Sequence, residues 1–200
     1  MENDQPKKKT RGKAPELLTL VSFRNRIPEN YKPQLVSVEG GWKIDCRCSR
    51  HLEQMLKDCR AAGGCPCMTS GYRSAERQSK LFREQTAHFM KYYGLERSMA
   101  RGAAVWYVAP PHASEHELGL AADISDDSEG ELTVNNSFTA RWLEDNAWKY
   151  GFILRYPKGK EKITGVMYEP WHFRYVGIQY AGEIHRLGVT LEEYLALYYT

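Results

Sequence analysis

Two short segments of the chain carry side chains that can bind a metal ion. The first reads S-E-H-E-L-G-L-A-A-D over residues 114–123, and the second reads E-P-W-H over residues 169–172. His116, Asp123 and His172 offer two imidazoles and a carboxylate, all of which are zinc ligands. Three protein ligands leave a fourth coordination position open, which is typical of catalytic rather than structural zinc sites. The residues therefore predict a hydrolytic centre, with Glu169 left over as its general base.

The proline in the second segment restricts the local structure around Glu169. Pro170 excludes the interior of a helix, so the segment is predicted to enter a strand with Glu169 at its mouth. The pattern therefore differs from the H-E-x-x-H helix of common zinc proteases. A salt bridge is the alternative role for Glu169, and a hydrogen-bonded pair without metal is the alternative for His116 and Asp123.

A third segment reads S-G-Y-R-S over residues 70–74. It places Arg73 at a turn between a predicted strand and a predicted helix. A guanidinium there can hold a carboxylate, or the oxyanion that forms when water attacks a carbonyl. The segment alone is not informative, and a solvated arginine is its alternative interpretation.

These segments, in this order, resemble the zinc D-alanyl-D-alanine carboxypeptidase family of the vancomycin-resistance (VanY) type. That family belongs with D-Ala-D-Ala dipeptidases, L,D-carboxypeptidases and lysostaphin-like peptidases, which share a small zinc fold of the LAS/hedgehog type. The similarity extends from about residue 30 to the C-terminal T-L-E-E-Y-L segment. It implies one Zn²⁺ per chain held by His116, Asp123 and His172. It also implies that Glu169 is the catalytic base and that Arg73 stabilises the tetrahedral intermediate.

The resemblance further implies three substrate contacts. Ser114 and Gln78 match positions that contact the terminal D-Ala of the substrate, and Trp171 matches part of the pocket wall. Each has an alternative: Ser114 can cap a loop, Gln78 can lie on a helix surface, and Trp171 can be a packing residue.

The implied reaction removes the terminal D-Ala from a peptidoglycan stem peptide or precursor by attack of metal-activated water. An L,D-carboxypeptidase or a D-Ala-D-Ala dipeptidase on the same scaffold is the alternative within the family. The alternative from another class is a zinc-stabilised binding module without catalytic activity, but such a module has no need of a base or an arginine at the site.

Hydrophobic periodicity and end signals predict the elements that position these residues. Helices are expected over 50–62, 75–93, 97–105 and 137–150, with a last helix opened by a capping box at Thr190. Strands are expected over 68–71, 120–125, 152–156 and 171–176, with a charged hairpin loop over 158–162. Because the helices flank a small set of strands, we predict an α+β fold whose small antiparallel sheet carries the zinc site.

Length and charge set the domain organisation. The chain has 200 residues and a net charge of +3. We predict a disordered basic tail over residues 1–15 and a single zinc carboxypeptidase domain over 16–200. Because the tail accounts for the whole net charge, the body is neutral, which argues against a nucleic-acid partner.

No stretch of the sequence is apolar enough to span a membrane, and no signal peptide is visible. We expect a monomer that works outside the cytoplasm or associated with the membrane at the cell wall, its targeting segment absent from this chain. A cytoplasmic location is the alternative.

The five cysteines are an odd number and occur partly as C-x-C pairs at residues 46–48 and 65–67. Zinc ribbons use C-x₂-C spacing, so a second, cysteine-bound zinc is not favoured. Free buried thiols, or one to two disulfides near the first long helix, are predicted instead.

Overall fold

A computed structural model describes residues 14–28, 30–126 and 137–199. Six strands form two antiparallel sheets within these residues. The smaller sheet pairs β1 (Leu35–Ser37) with β2 (Lys43–Asp45). The larger sheet has the order β3-β4-β6-β5, and its strands are β3 (Cys67–Ser70), β4 (Ala121–Ser125), β5 (Phe152–Leu154) and β6 (His172–Tyr175).

Seven α-helices surround the sheets in the described part of the chain. They are α1 (Cys46–Ala61), α2 (Ala75–Tyr93), α3 (Arg97–Ala104), α4 (Phe138–Asn146), α5 (Glu161–Thr164), α6 (Ile178–Leu187) and α7 (Leu191–Tyr198). Short 3-10 turns add Glu16–Leu18, Glu39–Gly41, Glu115–Leu118 and Ala147–Tyr150. The α+β class with a small antiparallel sheet is thus confirmed.

The two faces of the larger sheet differ in chemistry because strand residues alternate between them. Ile124 of β4 and Phe173 of β6 belong to the main apolar core, to which α1 contributes Leu52, Met55 and Leu56. The neighbouring positions of the same two strands point to the opposite face and carry the polar side chains Asp123, His172 and Arg174. One face therefore anchors the fold, and the other carries the candidate site.

Most predicted elements are present, and their end signals explain the agreement. Helix α2 begins after Ser74, whose hydroxyl accepts the amide of Arg77, and ends at the left-handed Gly94. The capping box at Thr190 also forms, with Glu193 as its partner. The first long helix, in contrast, begins four residues before the predicted start, because Asp45 is its N-cap.

Two further differences share a physical cause. Helix α6 was not predicted, and the predicted hairpin loop over 158–162 instead leads into α5. Neither helix has a side-chain hydrogen bond at its N-terminal cap, where Gly177 and Lys160 stand. Without a capping residue, the local sequence contains no start signal.

The five cysteines are all free thiols, and the predicted alternative of free buried thiols holds for Cys48 and Cys59, whereas Cys46 and Cys65 are exposed. Across the described ranges, no helix has the length and apolar character needed to cross a membrane. Residues 1–13 of the predicted tail lie outside the described residues, so the proposed division into tail and domain stays a prediction.

Candidate metal centre

Two strands and one short helical turn bring the predicted metal ligands together. Strands β4 and β6 pair with Asp123 directly opposite His172. His116 comes from the turn Glu115–Leu118, which ends at Gly119 with φ of 72°. A Cβ at Gly119 would lie 3.1 Å from the backbone nitrogen of Asp45, so glycine suits both this conformation and this close approach. One atom from each candidate ligand lies within 4.8 Å of the others, and all three residues are buried.

Hydrogen bonds decide which imidazole nitrogen faces the centre. The Nδ1 atom of His116 lies 2.7 Å from the carbonyl oxygen of Gly71 and must carry the proton, because a carbonyl only accepts. Its Nε2 therefore has a free lone pair, 3.2 Å from Oδ2 of Asp123. His172 presents the other nitrogen, with Nδ1 3.0 Å from Oδ1 of Asp123. Ligand atoms about 2.0–2.1 Å from a tetrahedral zinc lie roughly 3.3 Å apart, so the residues fit the ion.

The electrostatics of the centre favour a cation. Burial alone would lower the pKa of His172, but hydrogen bonds to Asp123 and Glu115 outweigh it and raise the value to about 9. Burial opposes ionisation of Asp123 as well, yet its contacts with the two histidines and with Arg73 hold its pKa well below the usual range. The pKa of His116 is lowered by burial and by the charge of Arg73. A buried carboxylate between two imidazoles suits a divalent metal.

Glu169 lies in the loop before β6, beside the candidate ligands. Its Oε2 is 3.7 Å from Nδ1 of His172, and the side chain is 12% exposed. Burial raises the pKa of Glu169 to about 7, despite the opposing charge of His172. The salt bridge that was the alternative role for Glu169 is thus a contact with His172, itself a candidate ligand. A carboxyl group that titrates near neutrality suits a general base.

Arg73 follows β3 and points into the same centre. Its Nη2 donates to Oδ2 of Asp123 over 2.6 Å, and its Nε donates to the hydroxyl of Ser70 over 2.9 Å. The side chain is 22% exposed, so the alternative of a solvated arginine does not hold. Gly71 fits the turn because a Cβ there would lie 2.5 Å from the carbonyl oxygen of Lys43.

The three predicted substrate contacts all line a cavity of about 210 Å³ that also contains the candidate ligands. The Ser114 hydroxyl accepts the backbone amide of His116, so the capping role exists. Gln78 is 1% exposed, which excludes a helix-surface position. Trp171 is half-buried and does not belong to the apolar clusters of the described residues. Whether these residues contact substrate stays a prediction.

Sequence reasoning missed a group of buried charges behind His172. Glu115, Arg155 and Arg174 are each at most 2% exposed. A signal was present for Arg174, because it lies two residues after His172 in a predicted strand and therefore on the same face. Glu115 stands inside the first motif, between Ser114 and His116, and no role was assigned to it.

Comparison with known proteins identifies the family to which the chain is similar. Residues 42–178 match the family model for VanY, D-alanyl-D-alanine carboxypeptidase. A D-alanyl-D-alanine carboxypeptidase of Enterococcus faecalis is 42% identical over 178 residues, which cover 89% of this chain and 65% of that protein. The chain thus spans about two thirds of the length of this curated relative.

Two solved structures are similar over nearly their whole length. One is a point variant of the vancomycin resistance D,D-pentapeptidase VanY from a VanB-type resistance cassette, in complex with Zn(II). It is 43% identical with a TM-score of 0.81, covering 89% of this chain and 98% of that one. The other is VanYB in complex with D-alanine-D-alanine, 42% identical with a TM-score of 0.83, covering 90% and 97%. The chain belongs to the VanY family of D-alanyl-D-alanine carboxypeptidases.

Proposed function

We propose that the chain is a zinc-dependent D,D-carboxypeptidase that removes the terminal D-Ala from peptidoglycan stem peptides or their precursors. The observation that carries the proposal is the position of Glu169, a carboxyl group of pKa about 7, 3.7 Å from a candidate metal ligand in the wall of a small cavity. A relative in complex with Zn(II) and another in complex with D-alanine-D-alanine support the metal and the substrate class.

One Zn²⁺ per chain would be held by Nε2 of His116, a carboxylate oxygen of Asp123 and Nδ1 of His172. Zinc supplies Lewis acidity when bound, which polarises a peptide carbonyl and makes water more acidic. The protein contributes a rigid, buried donor set in which two ligands lie on paired strands and the third on a capped turn.

Glu169 performs the proton transfers in the proposed reaction. It is positioned to take a proton from the attacking water and to return it to the amine of the departing D-alanine. A pKa near 7 suits both steps, because the carboxylate is available as a base and its conjugate acid is not too weak a donor. No covalent enzyme intermediate is required, so no serine or cysteine nucleophile is assigned.

The polar groups of the cavity would bind the charged end of the peptide. The guanidinium of Arg73 can stabilise an oxyanion, and the Ser114 hydroxyl lies in the same cavity wall. The amide nitrogen of Gln78 donates to the carbonyl of Ala109 over 2.7 Å, which leaves its buried Oε1 without a partner in the described residues. That oxygen would accept an N–H of the terminal residue.

The remaining cavity walls suit a small apolar side chain. They are formed in part by Leu81, Val105, Val108, Val166 and Trp171. A volume of about 210 Å³ accommodates the methyl group of a terminal alanine. The proposed working location outside the cytoplasm and the monomeric state stay predictions.

A substrate panel tests the proposal. The protein is incubated with pentapeptide, tetrapeptide and free D-Ala-D-Ala, with and without a chelator, and released D-alanine is measured. We expect release from the pentapeptide only when zinc is present. Release only from the tetrapeptide would instead indicate an L,D-carboxypeptidase. Cleavage of the free dipeptide would indicate a dipeptidase. If the zinc-loaded protein cleaves none of the three, the chain is a binding module.

Arg73→Ala is expected to lower kcat/KM by about 10²–10³-fold, because one preformed donor to the oxyanion is lost. Zinc content should stay at the wild-type level by elemental analysis. Arg77→Ala, which changes an exposed arginine in the first turn of α2, is the matched control and should retain activity. If Arg73→Ala loses its zinc, the guanidinium serves to hold Asp123 rather than to stabilise the oxyanion.

A further inference from the structure

A chain of buried ionic side chains lies directly behind His172. Glu115 is next to the ligand His116, Arg174 is in β6 and Arg155 follows β5. The side chains of all three are at most 1% exposed. Glu192, in the first turn of α7, is the outermost member of this ionic chain, and its side chain is 18% exposed. Two arginines and two glutamates balance in charge.

Within this ionic chain, the two carboxylate oxygens of Glu115 have different contacts. Its Oε1 accepts from Nε of Arg155 over 2.8 Å and lies 3.0 Å from Nη1 of Arg174. The remaining guanidinium nitrogens of Arg155 bind both carboxylate oxygens of Glu192, at 2.9 and 2.6 Å. One oxygen of Glu115 is therefore held by arginines, and its position is fixed.

The second oxygen of Glu115 faces the metal centre. Its Oε2 lies 3.5 Å from Nε2 of His172. Both atoms are buried and have no hydrogen-bond partner among the residues that the structure describes, so they face each other at a distance slightly longer than a hydrogen bond. Asp123 and Glu115 can only accept, so both ring nitrogens of His172 face acceptors, and once Nδ1 binds a metal the ring proton is on Nε2, opposite Glu115. The lone pair of Nδ1 then points towards Asp123, where the proposed metal would lie.

Energetics also point to a role beyond packing. Burying three ionic groups and partly burying a fourth is costly, and apolar residues of similar volume would often stabilise a fold as well or better. A carboxylate that orients a metal-binding imidazole through its second nitrogen explains why the charges are placed here.

We propose that Glu115 is a positioning residue: its carboxylate, anchored by Arg155 and Arg174, holds the proton of His172 on Nε2 and so directs Nδ1 to the metal. The inference rests on the proposed function, since it assumes that His172 binds zinc. Glu115 thereby gains a role that the sequence did not indicate. The metal centre is also linked to α7, through Arg155 and Glu192.

Glu115→Gln is the sharpest test because it changes hydrogen-bonding capacity with little change in volume. The amide oxygen of the glutamine would stay with the two arginines, which turns its NH₂ group towards Nε2 of His172. A donor there favours the opposite tautomer, with the proton on Nδ1. We expect zinc affinity, measured by competition with a chromogenic chelator, to fall about 10–100-fold.

Glu192→Gln is the matched control. It weakens the outer pair with Arg155 but does not touch His172, so its thermal stability should fall while its zinc affinity stays close to that of the wild type. If both variants lose zinc affinity equally, general loosening explains the effect and the positioning role of Glu115 is wrong.

A measurement on the unaltered protein covers the case in which Glu115→Gln does not fold. Long-range ¹H–¹⁵N spectra of the zinc-loaded, ¹⁵N-histidine-labelled protein report the tautomer of each ring. We expect His172 to carry its proton on Nε2 and His116 on Nδ1. A proton on Nδ1 of His172 would overturn the inference, whereas failure of the wild type to bind zinc would overturn the proposed function itself.

Discussion

Glu169→Gln is expected to lower kcat for D-Ala release by roughly 10³–10⁴-fold while zinc remains bound. The amide has nearly the same shape as the carboxylic acid, but it cannot take a proton from water or return one to the leaving amine. Because Glu169 is not one of the three clustered ligand residues, metal occupancy should not change. The measurements are single-turnover kinetics on the pentapeptide and zinc content by elemental analysis.

The stability of this variant is informative as well. Burial raises the pKa of Glu169 to about 7, so the charged carboxylate is disfavoured in the folded protein relative to an exposed glutamate. Above neutral pH the wild type must bury this charge, and the neutral glutamine removes that cost. The midpoint of thermal unfolding of Glu169→Gln should therefore be equal to or higher than that of the wild type at pH 8.

Glu84→Gln serves as the control, because Glu84 lies exposed on α2 and should change neither activity nor zinc content. Wild-type kcat in Glu169→Gln would show that another group is the base. Loss of zinc from that variant would show that Glu169 supports the metal, and its catalytic role would need a separate test.

The site could be largely predicted from sequence because its residues lie in short, ordered motifs. Pro170 was sufficient to exclude a helix at Glu169, and β6 does begin at His172. The pairing of Asp123 with His172 could not be derived in this way, because strand register depends on contacts between distant parts of the chain.

Elements without local signals were not predictable. Helix α6 lacks a capping side chain, and on α2 the apolar Met90 is 41% exposed. The side chains buried on α2 include Gln78 and Thr86, which donate hydrogen bonds to the carbonyls of Ala109 and Phe82. Hydrophobic periodicity cannot identify polar residues that are buried by tertiary hydrogen bonds.

The same limit applies to the ionic chain behind His172. An arginine in a predicted strand is ordinarily assigned to solvent, and only the fold shows that Arg174 and Arg155 converge on Glu115. Buried charges of this kind depend on partners that are far apart in sequence, here 37 residues or more. Local patterns therefore identify the metal ligands but not the groups that orient them.

Asp123→Ala is expected to abolish stoichiometric zinc binding and to destabilise the fold. Asp123 lies between both imidazoles and also accepts from Arg73, so alanine removes a ligand and the counter-charge of all three neighbours. Removing one partner of a buried ion pair lowers the free energy of unfolding by about 3–5 kcal/mol. In the pair between Arg73 and Asp123, the carboxylate of Asp123 is buried. Zinc content is measured by elemental analysis and stability by urea unfolding of the metal-free proteins.

Linkage provides an independent readout of the same change. A ligand at 1,000 times its Kd stabilises the folded state by about 4 kcal/mol, so added zinc should raise the Tm of the wild type by several degrees. The Tm of Asp123→Ala should not respond to zinc. Asp145→Asn, at an exposed position of α4, controls for the loss of an acidic side chain and should keep the zinc response.

Asp123→Asn separates the two effects of the alanine variant. Asparagine keeps the volume and a carbonyl oxygen but removes the negative charge, so zinc affinity should fall while the core around β4 stays packed. If Asp123→Ala retains one zinc per chain, the assignment of Asp123 as a ligand is wrong. If Asp123→Ala loses zinc but its metal-free form is as stable as the metal-free wild type, Arg73 and the two histidines gain compensating partners in the variant. Asp123 is then not needed as their counter-charge.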